Sequence, residues 1–526
     1  MAMVSFHDIS FYYSDPYHPV FDGLSLSLDT DWKTGFVGRN GRGKTTFLNL
    51  LLGSLKPQKG ILSAPASFSP VLFPFPVAAP SLKAHIIIKE SIAPFSLWED
   101  EMRQALLRGK PEDMILYGEA QSLYTQFNGY EIDAAILREG ALLDMGEELL
   151  DRPYETLSGG EQTKCQILAL FLHPPPFPLI DEPTNHLDRE GRACVAAYLR
   201  QKREGFLLVS HDRSFLDDAV DHIIALNRVD TRIVHGNFSV YDQDKKRADS
   251  WERDRNRRLK KEIRRLTESS RDKEEWSREK EKEKIGSGDK GAVGAQAARL
   301  MKRSMAIQRR ALARIEEKKE LLKNIESAHT LKMNIASCLP RQILTVSDLS
   351  VSYGGEPIFS GLSFSLERGS RLAVTGPNGS GKTTLLRAVL KEIPFSGTIR
   401  LPRHITLSRV SQFPRWHKGF LRPLLEASGP DETVFRNVLG ILGVSGDIFS
   451  RPLETFSLGE LKKAELARSL SEEAGLFVWD EPLNYLDLVS REQLEEAIIA
   501  YQPTLIFIEH DKTFIDRCAT CMVSLK

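Results

Sequence analysis

The sequence predicts an α/β protein in which two copies of one domain are joined by a long α-helical hairpin linker. Three observations predict this architecture. The regions before residue 241 and after residue 340 repeat the same motifs, and each copy places a glycine-rich loop between a strand-like run and a helical run. Residues 241–284 are rich in Lys, Arg and Glu and contain no glycine or proline. The boundaries we expect are 1–240, 241–340 and 341–526, with the hairpin tip at about 285–300.

The composition is typical of a soluble globular protein, with 41% hydrophobic and 27% charged residues and a net charge of zero. No apolar run reaches eighteen residues and the N-terminus does not resemble a signal peptide, so we expect no membrane span and a cytoplasmic location. The five cysteines are scattered, which suits a reducing compartment. The single CxxC pair, Cys518 and Cys521, is expected to pack as small hydrophobic residues rather than to bind metal.

The internal repeat is the most informative feature. ISFYYSDPYHPVFDGLSLSL at 9–28 is matched by LSVSYGGEPIFSGLSFSL at 349–366. Lys44 and Lys382 are 338 positions apart, whereas Asp181 and Asp480 are 299 apart, so the first copy carries 39 extra residues between these landmarks. They fall at about 80–150 and have helical spacing of apolar residues. We expect a helical arm, which is either a surface insertion or a partner-binding element.

Each copy contains a phosphate-binding loop. GRNGRGKT at 38–45 and GPNGSGKT at 376–383 both match G-x-x-x-x-G-K-[ST], between a strand-like and a helical run. Such loops curl backbone N–H groups around phosphates, the Lys reaches the outer phosphates and the Thr can hold Mg²⁺. The residues predicted to bind nucleotide here are Gly38, Asn40, Gly41, Gly43, Lys44, Thr45, Thr46, Gly376, Asn378, Gly379, Gly381, Lys382, Thr383 and Thr384.

An acidic pair follows a strand-like run in each copy, in DEPTNHLD at 181–188 and DEPLNYLD at 480–487. Asp181 and Asp480 are predicted to steady Mg²⁺, and Glu182 and Glu481 to polarise the attacking water. The run before Asp181, HPPPFPLI, is rich in proline, so only its last few residues are expected to form a strand.

LSGGEQ at 157–162 and FSLGEL at 456–461 each place a serine 23 residues before the Asp of the acidic pair. A Ser-Gly turn that opens a helix can bind phosphate, yet each copy already owns a phosphate loop. The Ser-Gly turn must therefore bind the nucleotide held by the other copy. We expect the two copies to pair head to tail within one chain, as a monomer. The predicted contacts are Ser158, Gly159, Gly160, Ser457 and Gly459.

These motifs resemble those of ATP-binding cassette ATPases, and the tandem arrangement with a charged linker resembles the ABC-F family of ribosome-associated ATPases. The resemblance implies two bound ATP molecules with Mg²⁺, adenine stacking by Tyr13 and Tyr353, and γ-phosphate contacts by His211 and His510. DEPLNYLD, the altered FSLGE and GAVGAQAARLMKRS in the linker are similar to the Lsa/Vga-type antibiotic-resistance members.

Two positions depart from the family pattern. Gln412 lies 30 residues after Lys382, where the family has a glutamine that contacts Mg²⁺ and water, but the corresponding residue of the first copy is Phe75. Leu458 stands where the signature usually has glycine. Head-to-tail pairing places both departures in one composite site. We therefore expect unequal sites, with the intact site turning over faster.

The linker carries the charge asymmetry that the neutral total conceals. Residues 241–330 contain 27 Lys and Arg and 18 Asp and Glu, a net charge of +9. Residues 290–310 hold six basic side chains and no acidic one, which suits a phosphate backbone better than a simple spacer. The candidate tip contacts in IGSGDKGAVGAQAARLMKRS and its flank are Lys290, Val293, Arg299, Lys302 and Arg303.

The resemblance implies binding in the ribosomal E site, with the tip directed toward rRNA and the P-site tRNA. ATP binding and hydrolysis would then protect the ribosome from pleuromutilin, lincosamide and streptogramin A antibiotics, which bind the peptidyl-transferase centre. Two alternatives stay open. One is a housekeeping translation factor for stalled ribosomes, and the other is the ATPase subunit of a transporter, which the long basic linker disfavours.

Overall fold

The computed structural model describes residues 3–14, 17–173, 177–227, 231–248, 250–251, 254–255, 257–258, 261, 264, 330–353, 356–444 and 446–525. The chain divides into two units, one of 1–239 with 328–526 and one that starts at 240 and ends at 327. In the second unit the described residues 240–248 are helical. The predicted tip residues Lys290, Val293, Arg299, Lys302 and Arg303 lie outside the described residues. Within the described ranges, every helix is too short or too polar to cross a membrane.

The first copy contains two sheets. A three-stranded antiparallel sheet has the order β2-β1-β4, and a six-stranded sheet has the order β5-β6-β7-β3-β8-β9 and is parallel except for β9. The strands are β1 Met3–Ser14, β2 Tyr17–Asp29, β3 Lys33–Gly38, β4 Lys59–Ser63, β5 Pro70–Phe73, β6 Phe177–Asp181, β7 Phe206–Val209, β8 His222–Leu226 and β9 Thr231–His235. The helices are α1 Lys44–Leu51, α2 Ala84–Ile92, α3 Phe95–Arg108, α4 Pro111–Gln126, α5 Ile132–Leu142, α6 Glu147–Leu150, α7 Gly159–Leu172, α8 Arg189–Gln201 and α9 Arg213–Ala219.

The second copy repeats this plan with a three-stranded sheet of order β11-β10-β13 and a five-stranded parallel sheet of order β14-β15-β16-β12-β17. The strands are β10 Gln342–Tyr353, β11 Glu356–Glu367, β12 Arg371–Thr375, β13 Ser396–Arg400, β14 Leu407–Val410, β15 Leu476–Asp480, β16 Leu505–Ile508 and β17 Cys521–Ser524. The helices are α10 Lys382–Val389, α11 Leu421–Ser428, α12 Glu432–Ile441, α13 Leu458–Ser471, α14 Leu488–Tyr501 and α15 Lys512–Cys518. Short 3₁₀ segments occupy Tyr154–Thr156, Pro183–His186, Gly446–Phe449 and Leu453–Thr455.

The predicted fold class, two α/β copies of one nucleotide-binding domain, is confirmed by this arrangement. In each copy the glycine-rich loop connects a central parallel strand to a helix, β3 to α1 and β12 to α10. The carboxyl ends of neighbouring parallel strands meet at one edge of the sheet, so the acidic pairs after β6 and β15 lie beside these loops.

The interval expected to hold the helical arm contains α2 to α6, whereas the second copy has only α11 and α12 at the corresponding place. Phe95 and Trp98 on α3 are buried against each other with a ring separation of 5.6 Å, and Tyr124 of α4 packs on Phe95 at 5.6 Å. These aromatic contacts fasten α3 to α4. The outer faces of both helices keep large apolar residues in solvent, among them Leu107 and Ile115.

The proline-rich run before Asp181 forms a strand only from Phe177 onward. Pro178 pairs with Val71 of β5, while pairing with β7 begins one residue later at Leu179. A residue without an N–H is therefore tolerated at the start of β6, before that strand is bonded on both sides.

The CxxC pair separates into two environments. Cys518 is fully buried at the end of α15, whereas Cys521 is exposed in β17, and both thiols are free. Packing as a small hydrophobic residue therefore describes Cys518 but is wrong for Cys521.

Phe47 on α1 is completely buried and connects the two sheets of the first copy. Its ring lies 4.6 Å from the ring of Phe6 on β1 and 4.6 Å from that of Phe36 on β3. The helix that follows the phosphate loop is thus fixed by aromatic packing on both sides, which sets where the loop begins and ends.

Replacing Phe47 with Ala should lower the free energy of unfolding by about 3–5 kcal/mol, because the buried ring leaves a cavity between two sheets. The urea midpoint of purified protein measures the loss. Leu107→Ala, at a side chain that is 81% exposed, is the control and should change stability by no more than about 0.5 kcal/mol. Equal midpoints for the two variants would contradict the role of Phe47.

Candidate nucleotide-binding sites

The phosphate loops depend on glycine at the residue before each helix. Gly43 and Gly381 have φ of 91° and 86°, in the left-handed region that other residues rarely adopt. A Cβ on Gly43 would lie 2.3 Å from Val20 Cγ1, and one on Gly381 would lie 2.4 Å from Ile358 Cγ2. Each loop therefore passes directly over the antiparallel sheet and presents the N-terminus of α1 or α10 to an anion.

The lysine of each loop points into it. Lys44 Nζ donates to Gly38 O at 2.8 Å and to Asn40 Oδ1 at 3.3 Å, and Lys382 Nζ donates to Gly376 O and Pro377 O at 2.8 Å each. Burial lowers the pKa of both lysines below their ordinary value of 10.5, although neighbouring carboxylates act in the opposite direction. The ammonium groups are thus held where outer phosphates can bind.

The two catalytic candidates share an unusual backbone conformation. Glu182 and Glu481 have φ of 51° and 46°, and each is anchored by its N–H, which donates to Val209 O at 2.9 Å or to Ile508 O at 3.1 Å. A left-handed non-glycine residue costs about 1–3 kcal/mol and persists only where its surroundings enforce it. The same strain at the same place in both copies marks the carboxylates as functionally positioned.

Burial dominates the electrostatics of the acidic pairs. It raises the pKa of Glu182 to about 7, with a further contribution from Asp181, and raises the pKa of Asp480 to about 6. Within the described residues, Glu182 Oε1 and Asp480 Oδ1 are buried and accept no hydrogen bond. Buried carboxylate oxygens without donors suit a hard divalent cation, and Thr383 lies within hydrogen-bonding reach of Asp480. The donor set therefore fits Mg²⁺ bound with a nucleotide.

Each copy also places a buried histidine beside its glutamate. His211 Nε2 lies 3.4 Å from Glu182 Oε1 and 3.2 Å from Asn40 Oδ1, and His510 Nε2 lies 3.8 Å from Glu481 Oε1. Burial, followed by the charge of Lys382, lowers the pKa of His510 to about 3, and burial with Lys44 lowers that of His211 well below 6.5. Both imidazoles are therefore neutral at physiological pH and keep one N–H to donate.

Two cavities lie between the copies, and each is lined by both of them. Site 1, of about 450 Å³, joins the phosphate loop of the first copy to the signature motif of the second, and site 2, of about 380 Å³, has the reverse composition. The predicted residues that line site 1 are Tyr13, Asn40, Gly41, Gly43, Lys44, Thr45, Thr46, Asp181, Glu182, His211, Ser457 and Gly459. Those that line site 2 are Gly159, Asn378, Gly379, Gly381, Lys382, Thr383, Thr384, Gln412, Glu481 and His510.

The remaining predicted residues lie outside the two linings. Ser158 Oγ accepts from Glu161 N at 3.3 Å and caps α7, Gly160 packs against the carbonyl of His186, and Asp480 is buried at the end of β15. Tyr353 is 56% exposed at the end of β10, whereas Tyr13 donates to or accepts from Thr46 Oγ1 at 3.1 Å. Gly38 and Gly376 accept hydrogen bonds from the loop lysines.

The asparagine of each phosphate loop bonds across the interface to the segment after the acidic pair of the other copy. Asn40 N donates to Asp487 Oδ2 at 3.2 Å and Asn40 Nδ2 to Tyr485 O at 2.9 Å. Asn378 N donates to Asp188 Oδ2 at 3.3 Å and Asn378 Nδ2 to His186 O at 3.4 Å. The copies thus meet head to tail.

Further contacts close the interface away from the sites. Ser214 Oγ and Thr513 Oγ1, which are 299 positions apart, lie within 3.3 Å of each other and mark the pseudo-twofold axis. Beside them, Arg213 of the first copy forms a buried ion pair with Glu495 of the second, with Nη1 3.2 Å from Oε1.

Strand register supports the predicted loss of a glutamine from site 1. Phe73 pairs with Ile180, and Val410 pairs with Trp479, so two residues further on Phe75 and Gln412 are equivalent. Gln412 Nε2 donates to Glu481 Oε2 at 3.2 Å. Phe75 does not line site 1, and its backbone N–H donates to Gln166 Oε1 at 3.2 Å. Leu458 is 53% exposed and also does not line site 1.

Sequence reasoning missed several polar residues after the acidic pairs. Asn185 lines both cavities, Asn484 Nδ2 donates to Glu481 Oε2, and Asp188 and Asp487 receive the cross-interface bonds. Both copies share the sequence N-x-L-D at these positions. This shared sequence could have marked the residues as candidates, but it does not indicate which groups they contact.

One missed feature belongs to site 1 alone. Lys463 Nζ lies 2.7 Å from Asp487 Oδ2, in a fully buried ion pair. Burial acts to raise the pKa of Asp487, but Lys463 holds it below its ordinary value. The equivalent lysine of the first copy, Lys164, is only partly buried, so the aspartate beside Asn40 is fixed more firmly than the one beside Asn378.

Two composite cavities, each built from a phosphate loop, an acidic pair and a neutral histidine of one copy and the signature helix of the other, define an ATP-hydrolysing tandem cassette enzyme.

Comparison with known proteins agrees with this class. The sequence pattern of the ABC transporter family matches residues 21–185 and 359–484. YdiF of Bacillus subtilis (strain 168), named as an ATP-binding protein, is 30% identical over 526 residues, which cover 96% of this chain and 77% of YdiF. The energy-dependent translational throttle protein EttA of Escherichia coli (strain K12) is 29% identical, with 96% and 89% covered. ABC transporter F family member 5 of Arabidopsis thaliana is 26% identical, with 96% and 73% covered.

Solved structures share the fold. The archaeal ribosome recycling factor aABCE1, crystallised with the stalk protein aP1, superposes with a TM-score of 0.58 at 19% identity, covering 98% of this chain and 87% of that one. The chain belongs to the ABC transporter family of ATPases and, within it, to the F family.

The raised pKa of Glu182 predicts a pH-dependent loss of stability in the nucleotide-free protein. The folded state holds this proton more tightly than the unfolded chain, so stability falls as pH rises from 4.5 to about 7. Replacing Glu182 with Gln removes this loss, and the variant should gain thermal stability relative to the native protein between pH 5 and pH 8.

Thermal unfolding at several pH values without nucleotide measures this gain. Glu182→Asp keeps a titrating carboxyl and should follow the native pH dependence. A difference between native protein and Glu182→Gln that stays constant with pH would show that the carboxyl is not perturbed.

Proposed function

We propose that this chain is a ribosome-associated ATPase whose cassettes close on two Mg²⁺-ATP, and that it protects the ribosome from antibiotics of the peptidyl-transferase centre. The observation that carries the ribosomal part is the combination of a self-sufficient head-to-tail cassette pair with a linker of net charge +9. The cassettes need no other chain to complete their sites, so the basic insert is free to serve a phosphate-rich partner.

The relatives support this partner. EttA is named as a translational throttle protein and aABCE1 as a ribosome recycling factor. The basic stretch at 290–310 has no acidic residue, and it holds the tip candidates Lys290, Val293, Arg299, Lys302 and Arg303. We propose that these residues contact rRNA and the P-site tRNA from the E site.

Hydrolysis at site 2 follows from the residues around Glu481. The nucleotide would supply the phosphoanhydride bond that is hydrolysed, and its cation would neutralise the charge on the phosphate oxygens. Glu481, oriented by Gln412 and Asn484, accepts the proton of the attacking water, while neutral His510 donates its N–H to the developing charge. Gly159 of the first copy closes the cavity.

Site 1 has the same plan, but no glutamine lines it, so Glu182 lacks the partner that orients Glu481 in site 2. Lys463 and Asp487 meanwhile fix the contact to Asn40. We propose that site 1 holds its nucleotide longer and governs the lifetime of the closed state, and that site 2 supplies most of the turnover.

Antibiotic protection is the finer part of the proposal. It is supported by the similarity of DEPLNYLD, FSLGE and GAVGAQAARLMKRS to the Lsa/Vga-type proteins, and the drug classes concerned are pleuromutilins, lincosamides and streptogramin A. A housekeeping translation factor is the second candidate, and the relatives named for translational control favour it.

The two sites can be compared through their glutamates. Glu481→Gln should remove most of the steady-state ATPase activity, since a general base contributes about 10²- to 10⁴-fold. The identical change at Glu182 should leave the larger part. Phosphate release from purified protein measures both rates, and equal losses would contradict unequal sites.

Ribosome binding is tested with the Glu182→Gln, Glu481→Gln double variant, which should be trapped closed on ATP. It should co-sediment with 70S ribosomes in the presence of ATP and not with ADP. The native protein, which hydrolyses ATP and is released, is the matched control. Sedimentation at the free-protein position with ATP would contradict the ribosomal role.

Drug susceptibility separates the two candidate functions. A resistance protein lowers drug susceptibility when the native gene is expressed, and a variant with residues 286–296 replaced by Gly and Ser should keep its ATPase activity but lose protection. Unchanged susceptibility with the native gene would favour the housekeeping factor.

A further inference from the structure

A fully buried lysine lies between the signature helix of the second copy and site 2. Lys462 on α13 is 0% exposed, and its Nζ donates to Ser411 O at 2.6 Å, Asp480 O at 3.3 Å and Gln412 O at 3.4 Å. An ammonium has three protons to donate, so these carbonyls can satisfy it. Burying a charged ammonium group costs free energy, so filling space in the core is a poor explanation for a lysine at this position.

The three carbonyls belong to the two segments that carry Asp480 and Gln412, the residues predicted to hold Mg²⁺ in site 2. Asp480 ends β15, and Ser411 and Gln412 follow β14 directly. One donor therefore fixes the spacing between the end of one strand and the loop after its neighbour. Glu465, one turn further along α13, reinforces this arrangement because its Oε1 accepts from Ser411 N at 3.1 Å.

The first copy has no lysine at the position equivalent to Lys462. Thr163 occupies the position 299 residues before Lys462, and its hydroxyl donates to Gly159 O of its own helix at 2.9 Å. The loop after β5, which carries Phe75, is contacted from α7 by Gln166. The second copy therefore has both the buried lysine and the glutamine, Gln412.

We infer that Lys462 is a positioning residue that holds Gln412 and Asp480 at the spacing site 2 needs for its cation. Lys462 lines neither cavity and acts only through the two carbonyl-bearing segments. The helix that carries it is capped at its N-terminus by Ser457, which lines site 1, so α13 and its cap contribute to both sites. The inference rests on the proposed assignment of Gln412, Asp480 and Glu481 to site 2.

The test replaces Lys462 with Met in the full chain and counts Mn²⁺ sites with a non-hydrolysable ATP analogue, from the electron paramagnetic resonance signal of free Mn²⁺. The native protein should bind two equivalents. In the variant one equivalent should weaken about tenfold, as expected when a supporting contact to a metal ligand is lost. The ATPase kcat should fall on the order of 10- to 100-fold.

Lys164→Met is the matched control, since it makes the same change on the equivalent helix of the first copy, and it should keep both Mn²⁺ equivalents and the native kcat. In a Glu481→Gln background, Lys462→Met should cause no further loss of activity, because both residues serve one site. Two unchanged equivalents, or an equal weakening of both, would overturn the inference.

Failure of the site assignment has a separate signature, because Glu481→Gln alone would then leave the ATPase activity intact. If Lys462→Met does not fold, Lys462→Arg keeps a buried cation with displaced donors. Weakening of one Mn²⁺ equivalent by this variant supports the inference, and native binding at both equivalents overturns it.

Discussion

The bond from each phosphate-loop asparagine to the opposite copy is the contact on which the rest of the molecule depends. Asn40 reaches Asp487 and the carbonyl of Tyr485, and Asn378 makes the corresponding bonds to Asp188 and His186. These bonds form only when the copies face each other head to tail. The same residues that shape the nucleotide loop therefore also report closure, which couples occupancy of the loop to the interface.

The pseudo-symmetry of the two copies is imperfect, and the differences between them affect one nucleotide site or the other. The ion pair of Lys463 with Asp487 stiffens the contact at site 1, whereas Lys462 and Gln412 shape the cation side of site 2. Both lysines lie on α13, one residue apart, and bond to different sites. A single helix thus accounts for much of the difference between two sites that began as copies.

The repeat, the order of motifs along the parallel strands and the phosphate loops could be predicted from the sequence. A glycine with φ of 91° or 86° followed by a lysine leaves few alternatives to a phosphate loop. The sequence also predicted head-to-tail pairing, since a second phosphate grip had no use within its own copy. Partners of Lys462 and Lys463 could not be predicted, because adjacent lysines on a helix give no sign of which carbonyl or carboxylate they will meet. For Ser158 and Tyr353, position in a motif predicted a nucleotide contact. It could not predict that Ser158 caps a helix or that Tyr353 is exposed to solvent.

The ion pair beside the pseudo-twofold axis makes the two halves non-interchangeable. Ser214 and Thr513 meet as equivalents, so a duplicated ancestor could have paired there with itself. Arg213 beside them needs Glu495, whose counterpart in the first copy is Ala196. A chain built from two first copies would bury this guanidinium without its ion-pair partner. Each half has therefore become a specific partner for the other, and a chain of two identical halves would lack this buried pair.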